Sequence, residues 1–184
     1  MRGEIFFNLD DFDLINQSLQ KSGGKTFINP RNAAAGTLRN LDIDIVRQRP
    51  LNIFLYALGG YSDDFSIASH QDFIAFLKMN NLPNNELVTF GDTTLASNAV
   101  KKILDSRDKL NYEIDGAVVK VNDINLQEKL GFVSKAPRWA VAWKFPASEK
   151  FSKVNDILFS VGRTGIVTPY ATIEPVLISG ANIS

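Results

Sequence analysis

The sequence YEIDGAVVKV occupies residues Tyr112–Val121, and its pattern decides how the rest of the chain is interpreted. It predicts a buried, valine-rich strand with a carboxylate, Asp115, near its start and an ammonium, Lys120, near its end. An unpaired buried charge is costly, so a ligand could supply the missing partners. A regular pleat sends the two charges to opposite faces, unless a bulge or a close backbone approach at Gly116 brings both toward one cleft. The alternative is an edge strand with two solvated ends.

A second predicted strand, AVAWKFP at Ala140–Pro146, carries another lysine, Lys144. Bulky residues alternate with alanines along it, so one face suits a core and the other leaves room beside Lys144. The bulky face consists of Val141, Trp143 and Phe145. An ammonium on a rigid strand suits a phosphate, although Lys144 could also simply reach solvent at the strand end.

A third predicted strand, Met1–Phe7, is apolar except where Glu4 interrupts it. A carboxylate in that position could accept hydrogen bonds from ribose hydroxyls. It could equally pair with Arg2 or lie on a solvent face. Together the three strands offer one carboxylate for a sugar, two lysines for a phosphate, and Asp115 for a metal ion or a hydroxyl proton.

Arginines at helix and hairpin ends form a second group of candidates. Asn29 and Pro30 predict a helix start, where backbone N–H groups and the helix dipole favour an anion, and Arg31 lies in the first turn. Arg39 follows eight residues later, about 80° further round the helix, so both arginines could hold backbone phosphates. Arg163 lies between glycines at the tip of a predicted hairpin. For all three, an exposed arginine without a role is the alternative.

Other elements are predicted from periodicity and caps. Helices are expected after Asp10 or Asp11, after Ser69, and from about Leu95 to Ser106, whereas Leu51–Leu58 predicts a central strand. A further strand is expected near Leu87–Phe90, and His70, the only histidine, is expected to cap its helix or to face water. The hairpin residues 157–170 and the apolar residues 173–178 open a separate β-rich segment.

Composition excludes several classes of protein. The 184 residues are 45% hydrophobic, which is normal for a folded globular chain, and the net charge is zero. Residues 1–100 carry 8 basic and 11 acidic side chains and residues 101–163 carry 12 and 8, so polyanion contacts are more plausible in the later part. No cysteine is present, which excludes disulfides and cysteine-based zinc sites. No apolar run approaches the ~18–20 residues of a membrane span, so we expect a cytoplasmic protein without a membrane partner.

The chain resembles the bacterial NAD-dependent DNA ligases over its whole length. Five segments carry the resemblance, in the order of that family: RGE at Arg2–Glu4, NPRNAAAGTLR at Asn29–Arg39, IDGAVVK at Ile114–Lys120, GFVSKAPRW at Gly131–Trp139 and AWKFP at Ala142–Pro146. Arg107 also precedes Asp115 by eight residues, as a DNA-contacting arginine does in that family.

The resemblance implies an α+β fold. Residues 1–146 would form the C-terminal portion of a nucleotidyltransferase (adenylation) domain, an ATP-grasp-like ligase architecture of mixed sheets with flanking helices. Residues 147–184 would be the first strands of an OB-fold β-barrel, left incomplete and therefore the least stable part of the chain. The family's four-cysteine zinc module lies further on, so zinc is expected only outside this chain, which we interpret as an internal fragment and a monomer.

The resemblance also implies a reaction and a set of roles. A lysine attacks the adenylyl phosphorus of NAD and expels nicotinamide mononucleotide; AMP then passes to the 5′-phosphate of nicked double-stranded DNA, and the 3′-hydroxyl displaces it. Glu4 would bind the AMP ribose, Lys120 and Lys144 would hold the nucleotide and its phosphate, and Asp115 would assist sealing through Mg²⁺. The DNA backbone contacts would come from Arg31, Arg39, Arg107 and Arg163.

One departure from the family matters for activity. The family's nucleophile lies in a Lys-x-Asp-Gly motif, but no lysine in this chain is followed by x-Asp-Gly, and the closest string is Glu113-Ile114-Asp115-Gly116. We therefore expect the isolated chain to be unable to adenylylate itself. Two other classes stay open: a non-catalytic nucleotide- or DNA-binding relic module, and an RNA-capping or ATP-dependent relative, against which the Asn29–Arg39 segment argues.

Overall fold

The computed structural model describes residues 1–60, 62, 64–134, 136–146, 149–178 and 181–183. The chain divides into two compact units. The first unit comprises Met1–Thr26 and Pro30–Phe145, and the second comprises Phe27–Asn29 and Pro146–Ser184. The predicted domain boundary after Pro146 adjoins residues 147 and 148, which lie outside the described residues.

Helices of the first unit begin where short polar side chains can cap them. Their bounds are α1 (Leu9–Lys21), α2 (Pro30–Leu38), α3 (Ile43–Arg47), α4 (His70–Met79), α5 (Thr93–Asp105) and α6 (Ile124–Leu130), with a 3-10 turn at Arg107–Lys109. The side chains of Asp42, Ser69, Asp92 and Asp123 each accept a backbone N–H in the first turn of the helix that follows. The predicted start of α1 was wrong by at least two residues, because the helix already begins at Leu9. Asp10 and Asp11 lie in its first turn, where their negative charges interact favourably with the helix dipole.

Strands of the first unit pair in antiparallel twos. Their bounds are β1 (Arg2–Phe6), β2 (Asn52–Ala57), β3 (Gly116–Lys120), β4 (Phe132–Val133), β5 (Ala136–Pro137) and β6 (Ala140–Lys144). The pairs are β1 with β2, β3 with β6, and β4 with β5. Within the described residues β2 pairs with β1 alone, so it is not the central strand that its apolar sequence predicted. The strand predicted near Leu87–Phe90 is absent; the segment is turn and coil, with the Leu87 N–H donating to Asn85 Oδ1 at 2.8 Å.

The core of the first unit forms around α4. Phe73, Ile74 and Leu77 are buried, and β2 contributes Leu55 to the residues that pack on them. A second buried patch lies under α2, which contacts β1 and buries Ala33, Ala34 and Thr37. The Thr37 hydroxyl accepts a hydrogen bond from Arg49 Nη1 at 3.0 Å, so this buried polar group has its partner. These two patches support β1 and β2, and β3 has its helix contact with α5.

The β3–β6 ribbon is less buried than its sequence predicted. Strand β3 begins only at Gly116, and Val118 is 57% exposed. On β6, Val141 and Trp143 are 63% and 49% exposed, whereas Phe145 is buried. The prediction of a buried strand and of a bulky face in the core was therefore wrong except at Phe145. Alternation identifies two faces of a strand, but it does not say whether protein covers either of them.

The second unit consists of antiparallel strand pairs. Strand β7 (Val154–Val161) pairs with β8 (Val167–Ile173), and β9 (Val176–Ile178) pairs with β10 (Ala181–Ile183). The β7–β8 turn closes with the Gly162 N–H donating to Ile166 O at 2.8 Å, and Gly165 takes a positive φ of 81° there. Apolar side chains of the hairpin, such as Phe159 at 68% exposure, remain on the surface. The described strands do not close a barrel. In the described part of the chain, no helix has both the length and the apolar character that crossing a membrane requires.

Candidate functional site

Lys120 ends strand β3 and turns its side chain toward β2. Its Nζ donates to the Tyr56 carbonyl oxygen at 3.3 Å and lies 5.2 Å from the centre of the Tyr56 ring. The side chain is half-buried, and this desolvation lowers the pKa of Lys120. The carbonyl dipole and the ring face both stabilise the ammonium in this partly dry position. A cation held here is poised to meet an anionic or electron-rich ligand.

A cavity of about 290 Å³ lies over Lys120. Its walls combine aromatic rings, from Tyr56, His70, Phe73, Phe132 and Trp139, with the charged groups of Arg2, Lys120 and Glu128. The Phe132 and Trp139 rings meet edge to face at 6.1 Å and 82°, which fixes the wall formed by β4 and the residues before β6. Flat apolar walls with a few convergent charges are typical of a pocket for a planar ring that carries an anionic group.

His70 is a cavity residue that the sequence did not identify as one. It is the first residue of α4, and its ring lies 5.7 Å from that of Phe73. Burial and, second, the charge of Lys120 lower the pKa of His70 to about 4. The imidazole is therefore neutral near pH 7, and the expectation that it faces water or caps the helix was wrong. Ser69, one residue earlier, is the cap.

Lys144 and Asp115 lie at the other end of the β3–β6 ribbon from Lys120. Lys144 is directly opposite Gly116, and the Phe145 N–H donates to the Asp115 carbonyl oxygen at 3.0 Å. A Cβ at Gly116 would come 2.6 Å from the Trp143 carbonyl oxygen. Of the two alternatives at Gly116, the structure has the close approach and not a bulge, because the β3–β6 register is continuous. Asp115 itself precedes the strand, and both charged side chains are exposed.

The two lysines share one face of this ribbon. Residues directly opposite each other in an antiparallel pair lie on the same face, and Lys120 is opposite Ala140 as Gly116 is opposite Lys144. Because residues 116 and 120 are an even number apart, both lysines lie on the face that also carries Val118 and Ala142. Four residues of strand separate them, about 13 Å. The side chains between them, Val118 and Ala142, are both exposed, so this face is open.

Glu4 lies on the β1–β2 pair, whose second strand brings Tyr56 to the cavity. It is exposed and directly opposite Phe54, which stacks on Phe6 at 4.4 Å between ring centres. Tyr56 is the extra residue of a register shift on β2, because Gly3 is opposite Leu55 and Arg2 is opposite Ala57. The carboxylate of Glu4 is thus carried by the same strand pair that holds Lys120 through Tyr56.

The candidate arginines lie on separate elements. Arg31 is exposed in the first turn of α2, and Arg39 follows the last helical residue, with its Nε donating to Ala35 O at 3.1 Å. Arg107 is half-buried at the start of the 3-10 turn. In the second unit Arg163 is exposed in the turn between β7 and β8. Of the predicted site residues, the first unit places Lys120 and Lys144 at opposite ends of one ribbon, with Asp115 beside Lys144, and leaves the arginines on other elements. Asp115 and Lys120 therefore do not converge on one cleft, as Gly116 was expected to allow.

A metal ion would have few protein ligands in this chain. Among the described residues, no three histidine, aspartate or glutamate side chains converge on one point. Mg²⁺ commonly takes only one or two carboxylates and completes its shell with water and substrate phosphate. The exposed carboxylate of Asp115, at the same ribbon end as Lys144, fits that kind of shared site. It does not fit a site built from protein ligands alone.

Two family models match the chain. The model described as NAD-dependent DNA ligase adenylation domain matches residues 1–148. The model described as NAD-dependent DNA ligase OB-fold domain matches residues 151–184. The cavity and both lysines of the ribbon lie within the first match, and Arg163 lies within the second.

Proposed function

The chain belongs to the NAD-dependent DNA ligase family, and from this premise we propose that it is the part of such a ligase that holds the adenylyl group during nick sealing in replication and repair. The reaction would proceed through an enzyme–AMP and a DNA–adenylate. The observation that carries the proposal is the position of Lys120, which lies in an aromatic cavity and on the same ribbon face as Lys144. We also propose that residues 1–146 adopt the nucleotidyltransferase architecture and that residues 147–184 are the opening strands of an OB barrel.

The nucleotide would lie along the face that the two lysines share. Its base would enter the cavity beside Tyr56 and its phosphate would lie between Lys120 and Lys144, over the small side chain of Ala142. Glu4 would accept hydrogen bonds from the ribose hydroxyls. Each step of the reaction moves charge on a phosphoryl group, so fixed cations that lie beside that group in the transition state would supply much of the rate acceleration.

Asp115 would act where the 3′-hydroxyl attacks. Its carboxylate would hold Mg²⁺ together with the substrate phosphate, and the ion would supply charge neutralisation at that phosphate. Asp115 would keep this position because its backbone carbonyl is tied to Phe145 and because Gly116 allows the two strands to approach closely.

DNA contacts would come from the arginines. Arg31 and Arg39 would hold backbone phosphates at the two ends of α2, and Arg107 and Arg163 would add further contacts from other elements. Such contacts are independent of base sequence and weaken as salt concentration rises. The bond from Arg39 Nε to Ala35 O uses one donor of the guanidinium and already fixes its orientation.

Transfer of AMP would require a lysine that this sequence does not provide. No lysine among the 184 residues is followed by x-Asp-Gly, and the closest string, at 113–116, has a glutamate in its first position. We propose that the chain alone forms no covalent adenylate and acts on AMP that a lysine elsewhere has received. Mass spectrometry after incubation with NAD would contradict this if it found an added adenylyl group on the chain.

Nick sealing by a fusion tests the proposal. The chain would be joined to the missing N-terminal part and the downstream domains of a related ligase and supplied with NAD or with ATP. We expect sealing with NAD only, loss of sealing in Lys120→Ala, and retained sealing in Lys129→Ala, an exposed lysine on α6 that serves as the matched control. A folded fusion that transfers AMP from neither nucleotide would favour a relic binding module, and sealing with ATP would favour an ATP-dependent relative.

A further inference from the structure

Asn122 joins the end of β3 to the start of α4. It lies two residues after Lys120, and both its oxygens accept backbone N–H groups from the first turn of α4. The His70 N–H donates to Asn122 O at 2.8 Å, and the Gln71 N–H donates to Asn122 Oδ1 at 2.9 Å. N–H groups in the first turn of a helix have no acceptor inside that helix. Asn122 therefore supplies what α4 lacks and fixes where the helix begins.

Neighbouring bonds hold the same junction from two other sides. The Ile124 N–H donates to Ala68 O at 3.0 Å, and Ser69 and Asp123 form an isolated antiparallel bridge. On the side of the cavity wall, the Val121 N–H donates to Trp139 O at 2.9 Å, and Gln127 Nε2 donates to Val121 O at 2.6 Å. Residues 121–124 are thereby bonded to the α4 start, to α6 and to the segment before β6.

The junction fixes two opposed groups of the cavity relative to each other. On one side of Asn122 is Lys120, which reaches the Tyr56 carbonyl, and on the other is His70, whose backbone Asn122 holds directly. The side-chain bond from Gln71 to Asn122 Oδ1 is solvent-exposed, so it adds little to overall stability. We therefore attribute the role of the Asn122 side chain to the placement of cavity residues and not to the free energy of unfolding.

We propose that Asn122 is a positioning residue of the nucleotide cavity: its carboxamide holds the β3 end and the α4 start in register, so that Lys120 and His70 keep their spacing. The inference rests on the proposed function of the cavity. It assigns the effect of Asn122 to the placement of Lys120 and not to any contact of its own with the nucleotide.

The test compares three variants of the 184-residue chain. Asn122→Ala removes the side-chain acceptor of the Gln71 N–H and keeps the backbone acceptor of the His70 N–H, Asn122→Asp keeps both, and Asn125→Ala removes another exposed asparagine three residues away on α6. For each, AMP affinity is measured by calorimetry and the ionisation of Lys120 by NMR titration of its Cε resonance, assigned with Lys120→Arg. High-salt buffer screens the charge that the aspartate adds. Thermal unfolding followed by circular dichroism checks that each variant is folded.

We expect Asn122→Ala to weaken AMP binding about tenfold and to move the pKa of Lys120 back toward its ordinary value, because a displaced side chain regains water. Asn122→Asp and Asn125→Ala should retain both properties. Unchanged affinity and unchanged Lys120 ionisation in Asn122→Ala would overturn the inference. If the wild-type chain binds no AMP, the proposed function fails, and the NMR titration alone still decides whether Asn122 places Lys120.

Discussion

Lys120 and His70 in the cavity have lowered pKa values, which an anionic ligand would raise again. Lys120 keeps its charge in a half-buried position, and the same charge opposes protonation of His70 across the cavity. Both effects arise because water that would screen the charges is partly excluded. An anion that entered the cavity would raise the pKa of both groups, since it would favour their protonated forms.

The sequence predicted a role for Lys120, which the structure places at the cavity, but it did not indicate the neighbours of Lys120 there. A lysine in a valine-rich strand is conspicuous because its charge conflicts with its surroundings. Tyr56 and His70 carried no such signal, since a tyrosine in an apolar strand and a histidine after a capping serine both have ordinary structural explanations. Their roles depend on which elements meet in space, and periodicity along one strand or helix does not contain that information.

His70 should make the chain acid-sensitive over a defined pH range. Its pKa is about 4 in the folded chain and near 6.5 when unfolded, so between these values the unfolded chain binds more protons. The contribution of His70 to the free energy of unfolding should therefore reach its full value above pH 6.5 and decrease as the pH drops toward 4. Allowing for solvent screening of a half-buried ring, the loss between pH 7.5 and 5 should be about 1 kcal/mol. Urea unfolding at both pH values measures it.

The matched control for this effect is His70→Phe, which keeps a ring against Phe73 and removes the titration. Carboxylates that titrate in the same range contribute equally to both proteins, so the difference between them isolates His70. An equal loss of stability in the two proteins would show that His70 is not responsible.

At the scale of elements, the sequence predicted the two strands of the β3–β6 ribbon but not that they pair with each other. The alternation of bulky and small residues on β6 correctly separated the two faces, and the glycine at 116 correctly indicated a special backbone contact. The burial of the bulky face was wrong because a two-stranded ribbon needs another layer to cover it. The residue pattern of one strand does not indicate whether that layer is protein or ligand.

Gly116→Ala should damage the ribbon through sterics alone. The new Cβ would lie 2.6 Å from the Trp143 carbonyl oxygen, which is backbone and cannot rotate away. We expect a loss of about 1–3 kcal/mol in the free energy of unfolding, the range for overpacking and strain. Urea unfolding monitored by tryptophan fluorescence would measure it. Gly60→Ala, where a Cβ meets nothing within 4 Å, is the control, and equal stability of the two variants would rule out the steric account.

At the scale of the molecule, the two units differ in how much of their apolar surface they bury. The first unit covers Phe73 and Leu77 completely or nearly so, at 1% and 0% exposure, whereas Phe159 and Val161 on β7 are each 68% exposed. The family resemblance led us to expect this contrast, because the opening strands of an OB barrel leave their apolar faces uncovered. It could not give the extent of pairing, because strand partners depend on which strands are present to complete a sheet.

Hydrogen exchange should separate the two units. Backbone amides of α4 are protected by a packed core, so they should exchange only when the first unit unfolds. Amides of β7 and β8 should exchange at least about tenfold faster, because few buried apolar contacts oppose local opening. Mass spectrometry of peptides from 70–79 and from 154–161 makes the comparison. Equal protection in the two peptides would contradict the prediction.

The fully buried face of α2 has a consequence for how the chain tolerates change. Ala33 and Ala34 are 0% and 1% exposed, and Thr37 beside them is also fully buried, so α2 approaches β1 through side chains of minimal volume. Enlarging any of them would push the helix outward and carry Arg31 and Arg39 with it. The residues that set where these arginines stand are therefore ones that no DNA strand would touch. In a scan of all substitutions, position 33 should reject added bulk, because a side chain larger than alanine would displace α2.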